Sequence, residues 1–203
     1  QAQISNPLPF KIIIFNGLPA SGKSTLAKRF AAHLRDQGIA ASILHLDGFT
    51  NEKIKSVKQV FITIGMLWWM SSERILKYVA STYFSQQSVR SFENEIIKAG
   101  ERLTEEPGTS VTVIPQLTPF SYENQTLPPE EALPIELRSG SYLIIEGGAS
   151  EILLESLMAR ASSFYVKVGA AVGKRRFMQR DRNPVHRKAK WLGFAFRVPF
   201  VYA

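Results

Sequence analysis

Residues 17–25 read Gly-Leu-Pro-Ala-Ser-Gly-Lys-Ser-Thr, a spacing of Gly-x4-Gly-Lys-[Ser/Thr] that suits phosphate binding. Glycines at both ends let the backbone turn tightly, so that successive amide N–H groups can point at phosphate oxygens. A lysine there can neutralise the outer phosphates, and a serine hydroxyl can hold Mg²⁺. The loop therefore predicts a site for ATP and Mg²⁺. Its predicted binding residues are Gly17, Ala20, Ser21, Gly22, Lys23, Ser24 and Thr25.

The segments on either side of this loop supply the context that a phosphate-binding loop needs. Lys11 to Phe15 is a short β-branched run, typical of a buried strand. An apolar stripe after the loop indicates a helix that ends at Gly38, and Ala41 to Leu46 indicates a second buried strand. A structural glycine-rich turn is the alternative, which this order disfavours. Strand, loop, helix and strand predict a βαβ unit and hence a parallel sheet. The predicted stripe is Leu26, Phe30 and Leu34.

Two acidic residues, Asp47 and Glu146, directly follow predicted strands, Ala41 to Leu46 and Tyr142 to Ile145. Ligands of open α/β sheets bind outside the carboxyl ends of the strands. A carboxylate placed there can take a proton from an attacking hydroxyl, or hold magnesium directly or through water. The alternative is that each acid only caps a following turn. We expect Asp47 to act in catalysis, and Ser24, Asp47 and Glu146 to bind the metal.

A basic helix is predicted from about Val172 to Arg182, before Pro184. Arginines that close over a transferred phosphoryl group stabilise the negative charge that builds on it. The alternatives are a solvated basic face, or a patch for nucleic acid or a membrane. We expect an arginine lid over about 170–190, with Arg175 binding the nucleotide. Its predicted arginines are Arg175, Arg176, Arg180 and Arg182.

The rest of the chain suggests one domain over 1–203, with an acceptor-side insertion over about 51–140 and no internal repeat. A proline-rich segment from Pro115 to about Gly140 is predicted to be a long loop. The abrupt end after an aromatic tail suggests that the chain is a fragment. The other predicted helices are Met66 to Phe84, Ser91 to Leu103 and Ile152 to Ala161, and the other strands are Val111 to Pro115 and Phe164 to Val168.

Composition narrows the class of protein further. The chain has no cysteine, which excludes disulfides, zinc-thiolate sites and thiol catalysis, and its three histidines are widely spread. No apolar run is long enough to cross a bilayer, and Gln1 to Phe10 does not resemble a secretory leader. We expect a cytoplasmic protein. The net charge of +8 favours acidic partners such as nucleotides, phosphorylated substrates, nucleic acid or an anionic membrane.

Taken together, the ordered motifs resemble those of the P-loop kinase family of uridine kinases, phosphoribulokinases and bacterial pantothenate kinases. They are Gly17 to Thr25, His45-Leu-Asp47-Gly-Phe49, Leu143-Ile-Ile-Glu146-Gly147, and Arg176 with Arg180-Asp181. The resemblance implies a three-layer P-loop NTPase fold, with a central parallel sheet flanked by helices, a helical and loop acceptor-binding insertion and an arginine lid.

The same resemblance assigns roles to single residues. It implies that Asp47 is the base toward the substrate hydroxyl and helps to organise Mg²⁺, and that Glu146 lies near the metal. Arg176 and Arg180 correspond to lid arginines that contact ATP phosphates, which with Lys23 completes the expected catalytic set. The sequence departs from the family at Phe177, where a second arginine is usual, and residues 51–110 match none of its motifs.

We therefore expect an ATP-dependent kinase that phosphorylates a hydroxyl of a small molecule, first of all a uridine- or cytidine-like nucleoside. Pantothenate or a sugar is the alternative acceptor within the family, and a polynucleotide- or protein-directed kinase is a second class. A nucleotide-gated membrane or partner-binding module is a third, motivated by Trp68-Trp69 and the aromatic tail Trp191 to Tyr202. Core packing also explains those aromatic residues. Peripheral membrane contact, a nucleic-acid partner and a homo-oligomer stay open.

Overall fold

A computed structural model describes residues 7–17, 20–49, 85–115, 134–148 and 150–180. Twelve elements follow one another in these ranges. They are β1 Lys11–Asn16, α1 Lys23–Asp36, β2 Ala41–His45, a 3-10 turn Leu46–Phe49, α2 Gln86–Glu105, β3 Ser110–Val113, β4 Ile135–Arg138, β5 Tyr142–Glu146, α3 Ser150–Leu153, α4 Glu155–Met158, β6 Ala161–Tyr165 and α5 Ala170–Arg180.

Within the described ranges the main sheet has four strands in the order β2-β5-β1-β6, and every neighbouring pair is parallel. Strand β1 is adjacent to β5, with Phe15 opposite Glu146, and β5 is adjacent to β2, with His45 opposite Glu146. The predicted parallel sheet is therefore confirmed. Its strands end at one common edge, where the phosphate-binding loop begins.

Alternation along the buried strands divides the core into two layers. Ile12 and Ile14 of β1 pack on the side of α2, α3 and α4, whereas Ile13 and Phe15 pack on the side of α1. Both faces of the sheet are covered, as a parallel sheet requires. The result is the three-layer α/β arrangement that the family resemblance implies.

Helix α1 lies on the sheet through a stripe that keeps Leu34 from the predicted one but not Leu26. Leu26 is 41% exposed, and the buried positions are Lys23, Ala27, Ala31 and Leu34. The small side chains of Ala27 and Ala31 let the helix backbone come close to the sheet. The helix therefore packs there without a large apolar side chain at position 26. Phe30 packs beside the stripe, with its ring edge-on to Phe15 at 6.0 Å.

The predicted loop up to Gly140 is wrong at its end, because Ile135–Arg138 is a strand. It pairs antiparallel with β3, and its side chains alternate between buried and exposed, as Ile-Glu-Leu-Arg should in a strand. The ribbon is held against β2, where Ser42 Oγ donates to the Glu136 carbonyl oxygen at 3.2 Å. The prolines upstream favour a loop, so this short alternation of apolar and polar residues is not prominent in the sequence.

The predicted helix Ile152 to Ala161 is also wrong. The segment forms two single-turn helices, α3 and α4, and strand β6 begins at Ala161, three residues before the predicted start. Pairing with β1 from Ala161 to Tyr165 sets this boundary.

The helix predicted at Met66 to Phe84 lies outside the described residues. Helices α2 and α5 start five and two residues earlier than predicted. No helix in the described part of the chain is both long and apolar enough to cross a membrane.

Glu93 of α2 anchors the break between α3 and α4. Its buried carboxylate accepts hydrogen bonds from the amides of Ser156 and Leu157, at 2.9 and 3.1 Å. Burial is the largest influence and raises the pKa of Glu93, although the two backbone hydrogen bonds oppose it. The carboxylate therefore caps the first amides of α4 from another helix.

This capping carboxylate predicts a pH-dependent difference in stability. Because the folded pKa of Glu93 is raised, the folded state binds more protons than the unfolded state above the ordinary value of 4.5. The free energy of unfolding of the wild type, relative to Glu93→Gln, should fall as pH rises through that window. Urea unfolding of both proteins between about pH 4 and 8 measures it.

Glu101→Gln is the control, since Glu101 is exposed on the same helix. Glu93→Ala should lower stability at every pH by about 1–3 kcal/mol, because the two amides lose their acceptor. A constant difference between the wild type and Glu93→Gln across the range would contradict the assignment.

Candidate functional site

Three neighbouring strands each end with a polar residue at the carboxyl edge of the sheet. Strand β1 ends at Asn16, β2 at His45 and β5 at Glu146. The side chains of His45 and Glu146 lie opposite each other in register, and both are buried, with 7% and 6% of their surface exposed. Alternation places both on the face of the sheet that α1 covers, because Ile43 and Ile144, two residues earlier, contact that layer.

Glu146 is the residue at which the site converges. Its Oε1 atom accepts a hydrogen bond from Ser24 Oγ at 3.0 Å, and His45 Nδ1 is hydrogen-bonded to the same oxygen. Ser24 stands in the first turn of α1, directly after the buried Lys23. The phosphate-binding helix and two strands are thus joined through one carboxylate.

The electrostatic surroundings keep this carboxylate ionised. Burial is the largest single influence and would raise the pKa of Glu146, but the hydrogen bond and attraction of His45, the charge of Lys23 and the Ser24 hydrogen bond together outweigh it. The pKa of Glu146 therefore lies below its ordinary value of 4.5. An ionised carboxylate has no proton to donate, so the His45 Nδ1 atom carries the hydrogen and donates it.

The loop before α1 has the backbone of an anion cradle. Gly17 has φ +146°, and Ala20 and Gly22 have φ +62° and +99°, in the left-handed region. A β-carbon at Gly17 would stand 2.6 Å from the carbonyl oxygen of Val166, so no larger residue fits. The Gly17 amide is fixed by a 2.8 Å hydrogen bond to Asn16 Oδ1. Residues 18 and 19 lie outside the described ranges.

The groups around this cradle fit a nucleotide phosphate. Gly22 at the N-cap of the 14-residue α1 offers no side chain to its first amides, and the first turn has no acidic residue. Ser21 Oγ is buried, and it has no hydrogen-bond partner among the described residues. Lys23 supplies a positive charge beside them.

The donor set also fits Mg²⁺ bound together with phosphate. Ser24 and Glu146 provide hard oxygen ligands next to each other. Within the described ranges no three His, Asp or Glu side chains lie close enough to hold a metal ion by themselves. Mg²⁺ typically uses one or two carboxylates together with substrate phosphates, which agrees with this incomplete protein set.

Other predicted site residues are not brought together with this cluster by any described contact. Asp47 lies in the 3-10 turn directly after β2, and its side chain is outside the described part. Arg175 and Arg176 are exposed on α5, which also carries Arg180, while Arg182 lies beyond the described residues. The catalytic role of Asp47 and the arginine lid stay predictions.

Reasoning from the sequence assigned no role to three residues of the cluster. The sequence motifs include His45 and Gly147 without a role for either, and they do not include Asn16. A β-carbon at Gly147 would stand 2.6 Å from Leu46 Cβ, so this glycine lets the turn that carries Asp47 pack against β5. The clue in the sequence was that His45 lies near the end of one predicted strand and that Glu146 directly follows another.

The parallel sheet, the Gly-x4-Gly-Lys-Ser loop between β1 and α1, and the acid at the end of the adjacent β5 define a P-loop, kinase-like domain. This fold implies nucleotide binding. Residues 10–60, about a quarter of the chain, match a family model described as the chromatin associated protein KTI12.

Among 55 matching chains of solved structures is a protein from Silicibacter sp. TM1040, provisionally described as a fructose transport system kinase. It is 20% identical, with 87% of this chain and 74% of that chain covered and a TM-score of 0.49. The fold class therefore rests on the sheet order and loop of this chain and not on that likeness. No curated protein matches the sequence.

The close contact at Gly17 predicts a selective loss of binding. Gly17→Ala should weaken the binding of a fluorescent ATP analogue by more than about tenfold, because the β-carbon would push the Val166 carbonyl away from the cradle. Gly140→Ala is the control, since Gly140 has φ +78° with open space around it. That variant should lose about 1–2 kcal/mol of stability and keep its nucleotide affinity. Equal affinities in the two variants would contradict the cradle.

Proposed function

We propose that this chain is an ATP- and Mg²⁺-dependent phosphotransferase that passes the γ-phosphoryl group to a hydroxyl of a small molecule. The observation that carries this proposal is the ionised Glu146 carboxylate, bound to Ser24 of the P-loop and close enough to Lys23 for its charge to lower the pKa. Burying an ionised carboxylate costs stability, so it contributes little to the fold by itself. Beside an uncapped helix N-terminus, the same carboxylate can bind a cation that accompanies phosphate.

Each residue of the cluster has a separate task in this proposal. The loop amides from Ala20 to Thr25 bind phosphate oxygens, and Lys23 neutralises the outer phosphates. Ser24 and Glu146, with Asp47, would hold Mg²⁺, which when bound supplies positive charge against the developing negative charge of the phosphates. Asp47 accepts the proton of the acceptor hydroxyl. Arg175, Arg176 and Arg180 close over the phosphates from α5.

The acceptor in this proposal is a nucleoside of the uridine or cytidine kind, with pantothenate or a sugar as the alternatives. The motif set that surrounds Asp47 and Glu146 supports a hydroxyl acceptor, but it does not choose among these three. A panel of the three acceptor types, each incubated with ATP and MgCl₂ and followed by product formation, makes the choice. No phosphorylated product with any of them would overturn the small-molecule proposal.

Substitutions at two positions should separate phosphoryl transfer from binding. Asp47→Asn should lower turnover by about 10²–10⁴-fold, the usual contribution of a positioned base, while ATP binding persists. Lys23→Ala should weaken both ATP binding and turnover, because the phosphates lose a charge partner. Product formation and binding of a fluorescent ATP analogue measure the two effects.

Matched exposed positions serve as controls for these substitutions. Asp36→Asn at the end of α1 and Lys98→Ala on α2 change the same residue types away from the site. Both should leave turnover within about twofold of the wild type, as substitutions of exposed residues usually do. If Asp47→Asn behaves like Asp36→Asn, Asp47 is not the base.

A second candidate is an activity directed at a polynucleotide or a protein. It is favoured by the match of residues 10–60 to a family described as chromatin associated and by the net charge of +8. Binding to an oligonucleotide that weakens steeply with salt would support it, because phosphate contacts release counterions. Binding that is absent, or insensitive to salt, would count against it.

The remaining expectations keep their status as predictions. The nucleotide-gated membrane or partner-binding module is motivated by Trp68-Trp69 and the tail Trp191 to Tyr202, which lie outside the described residues. The acceptor-side insertion, a homo-oligomer and a cytoplasmic location are likewise predictions.

A further inference from the structure

We propose that His45 is a positioning residue that fixes the Glu146 carboxylate for the Mg²⁺ that accompanies the nucleotide. The inference extends the proposed function, and it rests only on the part of that proposal that concerns the binding of nucleotide and Mg²⁺. It does not depend on which acceptor is phosphorylated, nor on whether transfer occurs at all.

The geometry gives His45 this position through the backbone. His45 and Glu146 are the last residues of two adjacent parallel strands, and they are partners in register. Both side chains point to the α1 face of the sheet and are more than nine-tenths buried. Because strand pairs are rigid compared with loops, the imidazole is held at a fixed place beside the carboxylate.

The hydrogen bonds converge on one atom of the carboxylate. His45 Nδ1 donates to Glu146 Oε1, and Ser24 Oγ donates to the same oxygen from the opposite element, α1. Two donors on one oxygen set the rotation of the carboxylate plane as well as its place. Metal ligands are commonly oriented by such outer partners, and loss of a partner typically lowers metal affinity by about 10–100-fold.

A magnesium titration of nucleotide binding tests this role. The probe is a fluorescent N-methylanthraniloyl derivative of ADP, and its affinity is measured against MgCl₂ concentration and again in EDTA. In His45→Leu the half-saturating Mg²⁺ concentration should rise about tenfold or more, while the affinity in EDTA stays within about twofold. In His45→Asn it should return to within about threefold of the wild type, because the amide Nδ2 stands near the position of Nδ1.

His33→Leu is the matched control, since His33 is exposed on α1 and its hydrogen bond among the described residues is local, to Gln37 four residues away. A half-saturating Mg²⁺ concentration in His45→Leu equal to that of His33→Leu would overturn the inference. So would an equal loss of affinity in EDTA, which indicates a structural role. A folded His45→Asn that fails to recover, or a wild type whose nucleotide binding ignores Mg²⁺, would also overturn it.

A measurement on the wild type covers the case in which His45→Leu does not fold. The imidazole nitrogen shifts of ¹⁵N-labelled protein report which ring nitrogen carries hydrogen, and the His45 signals are assigned by their loss in His45→Asn. The inference requires a protonated Nδ1, and a tautomer protonated at Nε2 alone would overturn it. Should the wild type transfer no phosphoryl group but keep these magnesium effects, only the kinase proposal fails.

Discussion

A buried negative charge at the carboxyl edge of the sheet, the Glu146 carboxylate, is the constraint on which the site depends. Desolvation alone would raise the pKa of such a group, yet two hydrogen bonds and a nearby lysine keep its pKa low. Those stabilising groups come from β2 and α1, so the charge can persist only where the strands and the P-loop helix meet. The position of the elements and the ionisation of the carboxylate therefore support each other.

Two close backbone approaches hold this meeting point together, and each needs a glycine. Gly17 admits the carbonyl of Val166, which brings the end of β6 onto the P-loop. Gly147 admits Leu46, which brings the turn after β2 onto the end of β5. A β-carbon at either position would stand 2.6 Å from its neighbour, closer than real β-carbons come. Both glycines thus serve tertiary contacts as well as their own turns.

The fold was largely predictable where a local pattern was strong. The β-branched run of β1 and the apolar run before Glu146 each form a strand in the structure. Helix α1 begins within the loop motif, as that motif predicts. Prediction failed where packing decided the outcome. Leu26 is exposed because Ala27 and Ala31 bring α1 close to the sheet. The segment after residue 150 breaks into two turns, and Glu93, far away in sequence, caps the second of them.

The sequence by itself determined that a phosphate-binding loop follows a buried strand, and that Asp47 and Glu146 follow two others. These are properties of short segments, which residue type and spacing can specify. Only the tertiary structure decided that β5 lies between β1 and β2, with His45 opposite Glu146. Strand order and register depend on contacts between residues about a hundred positions apart, and a one-residue slip would turn either side chain to the other face. That is why His45 emerged only from the structure.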